Sequence, residues 1–206
     1  MRELKKPKDA NRSRKWVAGL MIIFGSVGLL ASFVLSIDAL ELARNPEVNL
    51  SCSVNAILNC VDVMKTPQAE ILFGIPNSFF GMMAFPVLIT IGVILAIGAR
   101  FPKWFKACLQ IGALAGLAAS WWMYFDSLYV IGILCPWCLT VTTSMTIIFG
   151  AVTHYNLREN TFEFKRKTYD KILKFLSLDG DKLIWAIILI IFALLAFAKF
   201  GLNLFA

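Results

Sequence analysis

Four of the five cysteines in this chain fall into two pairs of unequal spacing. Cys135-Pro136-Trp137-Cys138 holds two residues between its sulfurs, whereas Cys52 and Cys60 are separated by seven. Four thiolates could hold a zinc ion, but the wider pair exceeds the about two to four intervening residues of common zinc modules. Two static disulfides would ask nothing of their surroundings. A redox relay needs an activated sulfur, and Cys135 has the surroundings of one. Pro136 suits the first position of a helix, where its missing N–H costs nothing. Cys135 then caps that helix, with the positive end of the dipole at its sulfur, a placement that lowers a thiol pKa from about 8.5 to roughly 3.5–7.5. Exchange between the two pairs is therefore the expected chemistry. One continuous helix over 52–60 would part the two Cα atoms by about 12 Å, against a disulfide limit of ~7 Å. Cys52 and Cys60 can pair only if that segment bends. The fifth cysteine, Cys108, reads as an inert buried thiol.

The elements that must position these sulfurs are membrane spans. Of 206 residues, 59% are hydrophobic and only 16% charged, too little polar surface to cover a soluble globule. Five apolar segments, at about 16–37, 79–99, 107–130, 136–153 and 183–203, each approach the roughly 20 residues a bilayer requires. In lipid they must be helices, so the expected class is an all-α integral membrane protein. The first segment is too long for a signal peptide and reads as an uncleaved anchor. In the third, Gly112 to Gly116 forms a small-xxx-small face for close packing. Pro86 is expected to kink the second.

The net charge of +7 raises nucleic acid as a partner, but its distribution argues against it. Seven basic residues lie in 1–15, three in 100–106 and seven in 154–182, while 38–77 carries Arg44 and Lys65 against five acids. That is the positive-inside pattern of a protein whose partner is the lipid bilayer. The expected division is a basic cytoplasmic N-terminus (1–15), a bundle (16–153) with an outer loop (38–78), a basic cytoplasmic connector (154–182) and a fifth span (183–206). All four paired cysteines then sit on the outer, oxidising side. Within the loop, Asn45-Pro46 signals a turn, and Val54, Ile57, Leu58 and Val61 recur at helical spacing, so a short amphipathic helix is expected there.

A relay must deliver its electrons. The chain shows no haem or dinucleotide motif, and its single histidine, His154, reads as an interfacial or capping residue. A lipid-soluble quinone is the economical acceptor. Thr140, Thr142, Thr143 and Ser144 follow Cys138 and are unusually polar for a span. They could face such a ligand or bond back to their own helix.

These marks together resemble the vitamin K epoxide reductase family in its bacterial stand-alone form. The matching residues are Cys52-x7-Cys60, Thr66 six residues later, Asn77-Ser78-Phe79-Phe80-Gly81 opening the second span, and Cys135-Pro136-Trp137-Cys138 opening the fourth. The resemblance implies a four-helix bundle around a quinone (menaquinone or ubiquinone), with a fifth helix added. It implies that Cys52 exchanges with a separate thioredoxin-fold, DsbA-like thiol oxidase, that Cys60 passes electrons to Cys135, and that Cys138 stands next to the quinone. Asn77 matches a family asparagine that hydrogen-bonds a quinone oxygen, although it could equally cap a helix. Thr66 matches a family serine or threonine near the loop. Thr142 stands where animal members carry a tyrosine, which favours quinone over epoxide as substrate. The unrelated DsbB type does the same work with its pairs in the reverse order. A non-enzymatic membrane scaffold with two structural disulfides is the alternative from another class.

Overall fold

The computed structural model describes residues 7–48, 52–53, 58–70 and 74–201. Among them are seven α-helices, five of which are long and apolar enough to cross a membrane. The protein is a multi-pass, all-α membrane protein, as its composition requires.

Helix α1 (Pro7–Arg44) outruns the expected 16–37 at both ends. Ala39 to Arg44 are good helix formers with no breaker before Asn45-Pro46, so the helix carries its acidic stretch with it. Helix α3 (Asn77–Ala96) lies along α1, α5 (Pro136–Arg158) packs against α1, and α4 (Lys103–Asp126) packs against α5. Val17 and Met21 from α1, Phe85 and Leu95 from α3, Ala113 from α4, and Ile148 and Val152 from α5 form the core between them. Apolar side chains pointing outward, such as Met83, Val87 and Ile111, face where lipid would lie.

One close helix approach is not singled out by the composition. At Gly28 of α1 an added Cβ would run into the Phe85 ring of α3, and at Gly92 it would lie 3.0 Å from the Met21 Cβ. The expected small-residue face on α4 is half correct. Gly116 sits against Met145, but nothing lies within 4 Å of a Cβ at Gly112. Gly28→Val should therefore destabilise the bundle by about 1–3 kcal/mol, the usual cost of overpacking. Gly112→Ala should cost nothing. Thermal unfolding in detergent compares the two.

Two sequence readings are corrected on these helices. Cys108 is exposed rather than buried, because Leu109, Ala113 and Leu117 take the inward face of α4. His154 is no interfacial residue: it is 3% exposed and bonded through both ring nitrogens. Its Nδ1 lies 2.6 Å from Asp181 Oδ2, and its Nε2 2.8 Å from Ser13 Oγ. That pair fastens α7 (Gly180–Phe200) to α5 and α1. Towards the other end of α7, the Tyr124 hydroxyl donates to the Phe192 carbonyl at 2.6 Å, with the two rings stacked. The basic connector also folds, into the amphipathic helix α6 (Arg166–Ser177), with Leu176 buried and Lys167, Lys171 and Lys174 exposed.

The end of α4 matters most for the site. Its last turn widens into a π-helical turn over Ser127–Ile131, closed by Gly132 at φ 74° and by the Ser127 hydroxyl on the Ile133 carbonyl. The chain then runs extended into Cys135. Leu134 forms a parallel bridge with Leu58, and Asn59 N–H donates to the Leu134 carbonyl at 3.0 Å. The expected amphipathic helix over 54–61 is thereby displaced. Asn59 caps a helix that starts one residue later, its side chain accepting from the N–H groups of Val61 and Asp62, and α2 spans Cys60–Met64. Asparagine in an extended conformation is a favoured cap, and it wins over the apolar periodicity before it. Val54 and Ile57 lie outside the described residues.

Candidate active site

The bridge delivers Cys60 to the start of α5. Cys60 is bonded to Cys52, their Cα atoms 5.7 Å apart, so the 52–60 segment does bend. The Cys60 Sγ also lies 3.2 Å from the Cys135 Sγ. Three sulfurs are thus in line of contact while Cys135 and Cys138 remain thiols. The disulfide takes two of the four sulfurs that a zinc site would use.

Cys135 is the N-cap of α5, with Pro136 at the first helical position. Its sulfur accepts from the Cys138 N–H at 3.4 Å. The Cys138 thiol, donating to it, holds the Cys135 thiol below its ordinary range. Burial pushes the other way, and the N–H groups of Cys138 and Trp137 lower it further. A sulfur so placed is a good leaving group and a thiolate at lower pH than usual. On the far side of the disulfide, the Asp38 Oδ2 lies 3.5 Å from the Cys52 Sγ. Sequence reading counted Asp38 only as an acid of the outer loop; α1 carries it to the sulfur.

Below the cysteines a cavity of about 460 Å³ opens among α1, α3, α4 and α5. That is a usual size for a small-molecule site. Cys138, Phe80, Phe85, Trp122 and Met123 line it, and Asn77 and Thr142 are among its few polar groups. A smaller cavity of about 190 Å³ shares Asn77, Met123 and Cys138 with it.

Asn77 is the first residue of α3, and Pro76 occupies the cap position, so the capping role is not the one it plays. Its Nδ2 donates to the Gln68 carbonyl at 2.7 Å, tying the loop to the cavity rim. Thr142 donates to the Cys138 carbonyl at 2.9 Å, and Thr140 and Thr146 bond back along the helix in the same way. Thr66 stands outside the lining of both cavities, its hydroxyl on the Val63 carbonyl at 2.7 Å. The structure thus brings together the four cysteines, Asn77 and Thr142, and leaves Thr66 beside them in the loop.

The model of the vitamin K epoxide reductase family matches residues 19–153. That stretch contains all four paired cysteines and the cavity, and ends before α6 and α7. No curated protein matches the chain.

Proposed function

The chain belongs to the vitamin K epoxide reductase family and is a membrane thiol oxidoreductase; from that premise we propose that it oxidises a thioredoxin-fold, DsbA-like partner and passes the electrons to a membrane quinone, driving disulfide formation. The observation that carries this reading is the run of sulfurs from Cys52 through Cys60 to Cys135, ending at Cys138 on the wall of an apolar cavity. The basic clusters face the cytoplasm and the cysteine end faces outward, by the positive-inside bias. Residues 16–153 carry the chemistry, the segment between α5 and α7 is the cytoplasmic connector, and α7 is the fifth span.

The exchange balances as two successive displacements. With the inner pair oxidised and the loop pair reduced by the partner, the Cys60 thiolate attacks Cys135; the Cys60–Cys135 bond forms and Cys138 leaves as a thiolate. Cys52 then attacks Cys60, and Cys135 leaves. The loop disulfide is restored, and two electrons rest on Cys135 and Cys138. The arrangement described above, with the loop pair bonded and the inner pair as thiols, is the product of that sequence. A quinone, ubiquinone or menaquinone, supplies a two-electron acceptor for the inner pair. The cavity fits such a ring: aromatic walls, few polar groups, and Cys138 at its edge. Asn77 stands at the rim, its Nδ2 on the Gln68 carbonyl and 3.7 Å from the Met123 Sδ; Thr142 stiffens the first turns of α5 below the sulfur. Thr66 braces the turn that follows α2.

The scaffold alternative keeps Cys135–Cys138 as a static disulfide, whereas the relay opens and re-forms it in every cycle. Reduced thioredoxin as donor and ubiquinone-1 as acceptor test the proposal on the purified full chain. The expected result is loss of one quinone per thioredoxin disulfide formed, and a mixture of redox states when thiols are trapped in cells. A single redox state with no quinone loss would return the chain to the scaffold class.

In the proposed function the Asn77 amide, which donates to the Gln68 carbonyl here, turns to the quinone oxygen; Asn77→Ala should then slow quinone reduction by about 10–100-fold, because a donor to an oxygen that gains negative charge is worth more during reaction than at rest. Losing the Gln68 hydrogen bond should cost only about 1 kcal/mol of stability. A lowered melting temperature with an unchanged rate would confine Asn77 to bracing the loop.

A further inference from the structure

Asp38 has no part in the relay as written, yet it is 7% exposed and lies at the sulfur that attacks in the last exchange. A carboxylate there does not favour a thiolate on Cys52, since two negative charges in contact repel. A reduced Cys52 is instead held as a thiol donating to Asp38. With Cys52 so held, Cys60 is the sulfur free to ionise, and Cys60 is the one touching Cys135. The charged and titratable groups around Asp38 are Glu41 one turn along α1, Cys52 in the loop, and Cys135 at the start of α5.

Resting on the relay reading above, we propose that Asp38 is the general base of its last exchange. In that step Cys52 attacks Cys60 of the Cys60–Cys135 disulfide. The Cys52 proton passes to Asp38, the Cys52–Cys60 bond forms, the Cys60–Cys135 bond breaks, and its electron pair leaves on Cys135. The geometry is that of the step just completed: Asp38 Oδ2 3.5 Å from Cys52 Sγ, Cys52 bonded to Cys60, and Cys135 Sγ 3.2 Å beyond. Every atom the step needs is in contact. Asp38 serves here as a catalytic residue, because it touches a reacting sulfur.

Asp38→Asn tests it in the full-length protein, with reduced thioredoxin as donor and ubiquinone-1 as acceptor. General base catalysis contributes typically 10²–10⁴-fold, so turnover near pH 6.5 should fall by at least about 100-fold. It should recover as pH rises past about 8.5, where an unassisted thiol ionises by itself. Acid-quenched samples at low pH should accumulate the Cys60–Cys135 disulfide, identified by peptide mass spectrometry. Asp38→Ala, which suits a helix, should regain low-pH turnover with added formate and not with chloride. Wild-type turnover, or a loss equal at every pH without the Cys60–Cys135 species and without formate rescue, would overturn the proposal. Cys52→Ser separates this from failure of the relay itself. If that variant turns over at the wild-type rate, the relay reading falls, whatever Asp38 does.

Discussion

Cys138→Ala and Cys135→Ala should each reduce quinone-coupled turnover to background, but the two inactive proteins should differ in which disulfide they carry. In Cys138→Ala, Cys135 can still attack Cys60, because the sulfurs are 3.2 Å apart and a bond of ~2.05 Å needs a shift of only about 1 Å. The displaced Cys52 can attack back, and with Cys138 gone no fourth sulfur offers an outlet. The chain should therefore hold a mixture of Cys52–Cys60 and Cys60–Cys135 disulfides. In Cys135→Ala the loop pair has no neighbour to exchange with, and Cys52–Cys60 should be the only species. Alkylation under acid quench and peptide mapping distinguish them. Near wild-type turnover in either variant would mean that the relay is drawn wrongly.

The second large effect concerns stability. His154→Ala should destabilise the protein by about 3–5 kcal/mol, because it leaves the Asp181 carboxyl buried without its partner. The side chains of the pair are 4% and 9% exposed, and Ser13 completes the chain of contacts. Replacing both members, as His154→Phe with Asp181→Leu, should recover much of the loss, since an apolar pair leaves no orphaned group behind. Thermal unfolding of the two single variants and the double variant gives the coupling directly. Equal stability of His154→Ala and wild type would show that water reaches Asp181. Because Asp181 opens α7, protease sensitivity of the connector before it should rise in parallel.

The spans could be read from sequence because a run of about 20 apolar residues has one way to satisfy its backbone in lipid. Cys135 at a helix start was equally legible, since Pro136 limits where a helix can begin. What could not be read depends on contacts between distant parts of the chain. Leu58 was assigned to a helix by its spacing, whereas its bridge to Leu134 and the cap at Asn59 decide its conformation. Asp38 looked like loop polarity because the apolar run ends at Ile37; local helix propensity carries α1 on to Arg44, but nothing local says that it meets Cys52 there. His154 looked interfacial because its partner stands 27 residues further on, at the head of another helix. Gly28 carries no signal of its own; its meaning is the Phe85 ring opposite.

The Leu58–Leu134 bridge makes the two ends of the loop mechanically unequal. Cys60 is stapled to the start of α5 and fully buried, as is Cys135, while Cys52 lies on the far side of the bend from that staple. Lifting Cys52 does not require breaking the bridge. Cys52 is 5% exposed against 0% for Cys60 and 1% for Cys135, so a thiol arriving from outside reaches the chain of sulfurs at Cys52 rather than at Cys60 or Cys135. In electrical terms the bridge is insulation. In the proposed relay it would prevent a short circuit in which small ambient thiols discharge Cys135 directly, so that the oxidising power would be spent through a single terminal.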